Sequence, residues 1–169
     1  DLIIKVGVPD GKFIYAKAWR VRAGRVELYL LDTDIAENER PDAQPHAKAI
    51  TWNLYAASER EWRFKQEYLL GVGGMRLLRE MGITPAALHI NEGHAAFAAL
   101  EMIQCELAAR AKERGISDVE AVDIRQNDPE RALSLGTSFE HALATVKEQI
   151  GFTSHTPRPA GNEELDPKP

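Results

Sequence analysis

Ala86-Ala87-Leu88-His89-Ile90-Asn91-Glu92-Gly93-His94-Ala95-Ala96-Phe97 changes character halfway along. Its first half is short and apolar, with the length of a buried strand from Ala86 to Ile90. Its second half opens a long helical pattern that runs from about His94 to Arg114 and stops at Gly115. Asn91 is placed to cap that helix, Glu92 to favour its positive end, and Gly93 to relieve the turn. A strand that hands over to a helix is the repeating unit of α/β folds. The handover packs two imidazoles, a carboxamide and a carboxylate into one turn. Open α/β sheets place ligands at such junctions, because the strand's carboxyl end meets the helix's amino end there. A second junction of the same kind closes the pattern: Phe152-Thr153-Ser154-His155-Thr156-Pro157.

On the amino-terminal side, two β-rich runs, Phe13 to Val21 and Arg25 to Leu31, flank a turn at Ala23-Gly24 and predict a hairpin. Asp32-Thr33-Asp34 starts a polar loop that runs past Pro41 and Pro45. Ser58-Glu59-Arg60-Glu61 has the form of a capping box, and apolar positions from Trp62 to Leu78 carry a helix to about Met81. Gly71, Gly73 and Gly74 lie inside it. Each costs roughly 1 kcal/mol against alanine in a helix, so close packing on a sheet is the expected reason. Gly82 ends the helix. Ser117 to Leu135 is a polar insert with no clear period. Thr137 to Glu140 is a second capping box that opens a helix to about Glu148, and Gly151 to Ser154 is a last short strand. Helices alternating with short buried strands specify an α/β domain with at least part of its sheet parallel.

The 169 residues suffice for about one domain, and 44% hydrophobic with 28% charged residues is a globular composition. A net charge of -5 argues against nucleic acid or an anionic membrane as a partner. No apolar run approaches the length of a membrane span, roughly 18 residues. The single cysteine, Cys105, sits in a helical stretch and reads as packing; the reducing cytoplasm is its expected compartment. The chain opens at Asp1 on a strand-like run and closes in a polar, proline-rich tail, which suggests a piece of something longer.

On spacing alone, Asn91, Glu92, Gly93 and His94 read first as a plain helix start and second as a sugar or phosphate site. His89 and His94 are five apart and straddle a strand end, so they lack the His-Glu-x-x-His spacing of a zinc site, and no metal is expected. Ser154 and His155 are strand neighbours that point to opposite faces, which argues against a nucleophile and its base. His155 is either a ligand-facing residue at a strand end or a loop histidine satisfied by backbone. The glycines at 71–74 follow no strand and lack the Lys-Ser/Thr ending of a phosphate loop. Glu61, Arg63, Lys65 and Glu67 read as a solvated face with a favourable Glu61-Lys65 pair.

Four ordered segments carry a resemblance: Val26 to Asp34, Arg63 to Gly74, His89 to Phe97, and Phe152 to Pro157. In that order over residues 26–162 the chain resembles the α-glucan (glycogen, starch, maltodextrin) phosphorylases, especially their shorter bacterial and archaeal kind. The resemblance implies a GT-B glycosyltransferase fold, with two doubly wound, Rossmann-like α/β domains facing across a cleft. Residues 1–162 would be part of the amino-terminal domain, with the hairpin in 13–31 and core helices and strands in 58–155. Residues 163–169 would be a polar tail or a truncated continuation. It further implies transfer of a glucosyl unit from an α-1,4-glucan to inorganic phosphate, giving glucose 1-phosphate, in a cytoplasmic and homodimeric parent.

Pyridoxal phosphate would be held by a lysine of the other domain. By match, His155 lines the glucose site with its side chain and backbone carbonyl, the carbonyl facing the developing positive charge. Asn91, Glu92, Gly93, His94 and Thr156 would line the same site. Better-known animal and plant members carry Asp-Thr where this chain has Glu92-Gly93. The short loop between Tyr55 and Glu61 cannot form their gate over the site, so allosteric control of their type is not expected. These residues alone are expected to be inactive. Two other readings compete: a nucleotide-sugar glycosyltransferase of the same fold, akin to glycogen synthase, and a non-enzymatic carbohydrate-binding module.

Overall fold

The structure is a computed structural model that describes residues 2–8, 10–54 and 60–155. The predicted hairpin is β2 (Phe13–Ala23) and β3 (Val26–Asp32), joined by a two-residue turn at Gly24-Arg25. Gly24 takes φ 64°, a conformation that L side chains resist, which is why the turn closes there. A further strand, β1 (Leu2–Gly7), pairs antiparallel with β2, giving the order β1-β2-β3. One face of this sheet is closed by Ile4, Val6, Ile14 and Ala16. On the other, Val26, Leu28 and Leu30 of β3 and Trp19 and Val21 of β2 remain roughly half exposed.

The polar loop after β3 is tied down by one side chain. Asn38 is buried, accepts the Tyr15 backbone N–H at 2.9 Å, and donates to the carbonyls of Tyr15 at 2.7 Å and Thr33 at 2.8 Å. It thus acts as one residue of a further strand laid on β2. Asn38→Ala would leave these groups buried without partners. The expected cost is about 3 kcal/mol, read as a lower urea midpoint at unchanged slope. A loss under about 1 kcal/mol would mean that water replaces the amide. Asp32 starts the loop. Its carboxylate is held below the ordinary range by the Asp34 backbone N–H and the Trp19 indole.

The long helix expected over residues 58–81 is seen over 60–80 and is not uniform. It comprises α1 (Arg60–Tyr68), a π-helical turn (Leu69–Gly73) and α2 (Gly74–Glu80). The capping box at Ser58 lies outside the described residues. Gly82, at φ 70°, stops the helix as expected. Of the three glycines, Gly73 meets the sheet: an added Cβ would lie 3.0 Å from Ile4 Cδ1. Gly71 instead meets another helix start, where a Cβ would lie 2.6 Å from the Ala98 nitrogen and 2.8 Å from the Phe97 carbonyl carbon. Gly74 faces open space. Packing on the sheet therefore accounts for one glycine of the three.

The central strand is β4 (Leu88–Asn91), starting two residues later than expected. After a 3-10 turn (Gly93–Ala95) comes α3 (Phe97–Glu113), which buries Ala98, Met102 and Ile103 but exposes Leu100. The helix turns Ala98 and Glu101 inward and leaves Leu100 facing out. The insert forms α4 (Asp118–Asn127), capped by Ser117, and α5 (Pro129–Ser134), capped by Asp128. The second capping box shifts by one residue: Ser138 is the cap of α6 (Phe139–Lys147), while Thr137 is buried and donates to the Ala132 carbonyl at 3.3 Å. Strand β5 (Ile150–Thr153) pairs parallel with β4, in the register Ile90↔Phe152 and Asn91↔Thr153. The fold is thus mixed α/β, with an antiparallel sheet, a parallel pair, and helices between. Met102, Ile103, Ala142 and Val146 form a second core beneath the parallel pair.

Candidate functional site

The parallel register carries the carboxyl ends of β4 and β5 to the same edge. Asn91, the last residue of β4, therefore lies opposite Thr153, the last of β5. Here the sequence expectation is corrected: Asn91 does not cap the following helix. Its Oδ1 accepts from His155 Nε2 at 2.7 Å, which places the ring proton on that nitrogen. Glu92 follows in a conformation rare for a residue with a side chain, φ 58° and ψ -173°. The strained residue is Glu92 and not its neighbour Gly93.

Three hydrogen bonds oppose that strain. The Glu92 N–H donates to the Thr153 carbonyl at 2.8 Å. Its carboxylate accepts the backbone N–H of His155 through Oε1 and the Ser154 hydroxyl through Oε2, the latter at 3.3 Å. The ring of His89 shares a bond with the Thr153 hydroxyl at 2.9 Å. Asn91, Glu92 and His155 are thus one hydrogen-bonded unit, built from residues some sixty positions apart. Gly93 begins the 3-10 turn beside it. Thr156 lies outside the described residues.

His94 joins a different cluster. Its Nδ1 lies 3.3 Å from Glu67 Oε1, and the same oxygen accepts from Arg63 Nε at 3.3 Å. Arg63, Glu67 and His94, with Thr51, Asn53 and Gln66, are polar residues lining a cavity of about 390 Å³ whose apolar lining includes Leu31, Ile50 and Leu69. Among the described residues of the sequence-derived site, His94 alone lines this cavity. Glu67 was read from the sequence as part of a solvated face. Its side chain is 22% exposed and is committed to two partners. Glu61 and Lys65 do form the surface pair expected of their spacing, at 2.6 Å.

Among the described residues no group of three or more His, Cys, Asp or Glu side chains is arranged to hold a metal ion. No helix among them is long and apolar enough to cross a membrane.

Over 164 residues the chain is 41% identical to a maltodextrin phosphorylase of Thermococcus litoralis, a match covering 97% of this chain and 16% of that protein. A glycogen phosphorylase of Mycobacterium tuberculosis is 34% identical over 165 residues, covering 95% of this chain and 16% of the relative. A glycogen phosphorylase of Aquifex aeolicus is 30% identical over 152 residues, covering 90% and 17%. The chain therefore spans about one sixth of the length of these curated relatives. No family model matches it, and no solved structure matches it.

Proposed function

Since this chain belongs by sequence to the α-glucan phosphorylase family, we propose that it supplies one wall of the glucose site in an enzyme that phosphorolyses α-1,4-glucans. The supporting observation is the unit formed by Asn91, Glu92 and His155 at the joined strand ends. In this reading the protein takes a terminal glucosyl unit from a glucan and passes it to inorganic phosphate, yielding glucose 1-phosphate. The β4-α3 and α6-β5 segments then belong to a doubly wound, Rossmann-like domain of the GT-B type. A second domain and a homodimeric assembly in the cytoplasm belong to the same reading.

The unit gives each residue a task. The glucosyl carbon becomes electron-poor as its bond to the leaving oxygen breaks. A carbonyl dipole fixed nearby lowers the energy of that state without having to reorganise. Glu92 fixes the peptide before His155 by accepting its N–H, and Asn91 fixes the ring by accepting from Nε2. In the neutral ring Nδ1 then carries the lone pair and can accept from a sugar hydroxyl. Glu92 acts in this account by holding His155, with both carboxylate oxygens already accepting from the chain. His94 and Thr156 complete the proposed wall.

Pyridoxal phosphate, the cofactor that the resemblance implies, does not fit the residues described here. Its aldehyde needs a lysine, and among the described residues no lysine lines the cavity. Lys5 and Lys48 instead contact Asp42 and Glu39, and Lys65 contacts Glu61, all at the surface. The cofactor's lysine is assigned to the other domain, and no step is derived through it.

The test is to incubate the whole protein with maltodextrin and phosphate and follow glucose 1-phosphate. Product is expected, and Glu92→Ala should lower kcat/KM by about 10- to 100-fold, the worth of a charged hydrogen bond. Transfer from a nucleotide sugar without phosphorolysis would replace this reading by a synthase-like one.

A further inference from the structure

We infer that Glu67 is a positioning residue for His94, and that the π-helical turn and Gly71 exist in part to bring the two together. The inference rests on the reading of His94 as part of the glucan-site wall. Glu67 sits one residue before the end of α1, and His94 sits in the 3-10 turn that precedes α3. These elements meet only because the helix beyond Glu67 lies directly on the start of α3. At Gly71 there is no room for a methyl group between the two backbones. The turn of helix making this approach, Leu69–Gly73, is π-helical and almost wholly buried. Single π turns inside α-helices are frequent at functional sites, because they shift the angular position of side chains on either side. The rings of Phe64 and Tyr68 close edge-on against Phe97 at 5.1 and 5.6 Å between centroids, which fixes the same junction from the flank.

The chemistry of the contact is directional. A carboxylate only accepts, so the Glu67 bond at 3.3 Å needs a proton on His94 Nδ1. In the neutral ring the lone pair is then on Nε2. Free imidazole side chains are not held in one tautomer; a carboxylate partner chooses it and sets the ring plane. Arg63 Nε donates to the same carboxylate oxygen, also at 3.3 Å, so Glu67 itself has little freedom. The geometry gives an order of dependence: Arg63 orients Glu67, Glu67 orients His94, and His94 presents an oriented ring to the cavity that all three line.

Two measurements test this. The first needs no activity: histidine ring nitrogens of the whole protein, labelled with ¹⁵N, are read by long-range proton correlation. His94 is expected to show the Nδ1–H form, to keep it in Glu67→Gln, whose amide oxygen still accepts, and to lose it in Glu67→Ala. An Nε2–H form in the unaltered protein would overturn the proposal, whether or not any variant folds. So would a His94 signature unchanged in Glu67→Ala. The second measurement is a double-mutant cycle on phosphorolysis. Glu67→Ala should lower kcat/KM about tenfold in the unaltered background, and less than twofold when His94 is already alanine. Equal losses in both backgrounds would overturn action through His94. An oriented His94 in a protein without phosphorolysis would leave the positioning role standing and sink the glucan-site reading alone.

Discussion

Arg76→Met should destabilise the fold by about 3–5 kcal/mol, and adding Glu101→Met to the same molecule should restore most of the loss. Glu101 is 5% exposed on α3. Arg76 of α2 meets it with two nitrogens, Nε at 2.9 Å and Nη2 at 3.2 Å, and sends Nη1 to the Lys5 carbonyl of β1 at 2.9 Å. One guanidinium thus ties a strand and two helices together. With Arg76 gone, the buried carboxylate keeps only the half-exposed Arg79, at 3.5 Å. Stripping one partner from a buried pair is expensive because the other charge stays desolvated; removing both leaves an apolar contact of similar volume. Chemical unfolding of the two single variants and the double would show it. Additive losses would mean that the two side chains do not share an interaction.

Among the described glycines, Gly71→Ala should add the most damaging methyl group. Its Cβ would fall 2.6 Å from one backbone atom of the α3 start and 2.8 Å from another. Backbone cannot rotate aside as a side chain can, so the two helices must separate. The expected cost is about 2–3 kcal/mol, at the upper end for overpacking. The Phe64-Tyr68-Phe97 ring contacts and the Glu67-His94 bond should loosen with it. Gly74→Ala is the control. Nothing lies within 4 Å of that site and its backbone is helical, at φ -59°. The same methyl there should stabilise by about 0.5–1 kcal/mol, the ordinary helix preference for alanine. Similar unfolding midpoints for the two variants would contradict the close approach.

Much of this fold was legible from residue pattern. The hairpin was visible because alternation and Gly24 agree, and the two parallel strands because short apolar runs stop at polar clusters. The insert at residues 117–135 was not, because its buried positions are few: Ala121, Ile124 and Ala132 face inward while Val119 and Leu133 are exposed. Its signals were caps, Ser117 and the Asp128-Pro129 pair, and not a hydrophobic period. Site residues were legible where they cluster in sequence, as in Asn91 to His94. Glu67 was not, since its spacing to Arg63 is also that of a plain surface pair. Only the tertiary approach at Gly71 separates the two meanings. Glu92 was noticed for its charge, yet its backbone conformation depends on β5, which arrives sixty residues later.

That separation sets the order in which the molecule is built. The β1-β2-β3 sheet is joined by tight, local connections, and hairpins of this kind close within about 1–10 μs. Pairing β4 with β5 must wait for the chain from Asn91 to Ile150 to be made and folded back, and such long closures come late. Glu92 can hold its left-handed backbone only once Thr153, Ser154 and His155 arrive to bond it. The unit of Asn91, Glu92 and His155 therefore forms only after β5 has docked on β4.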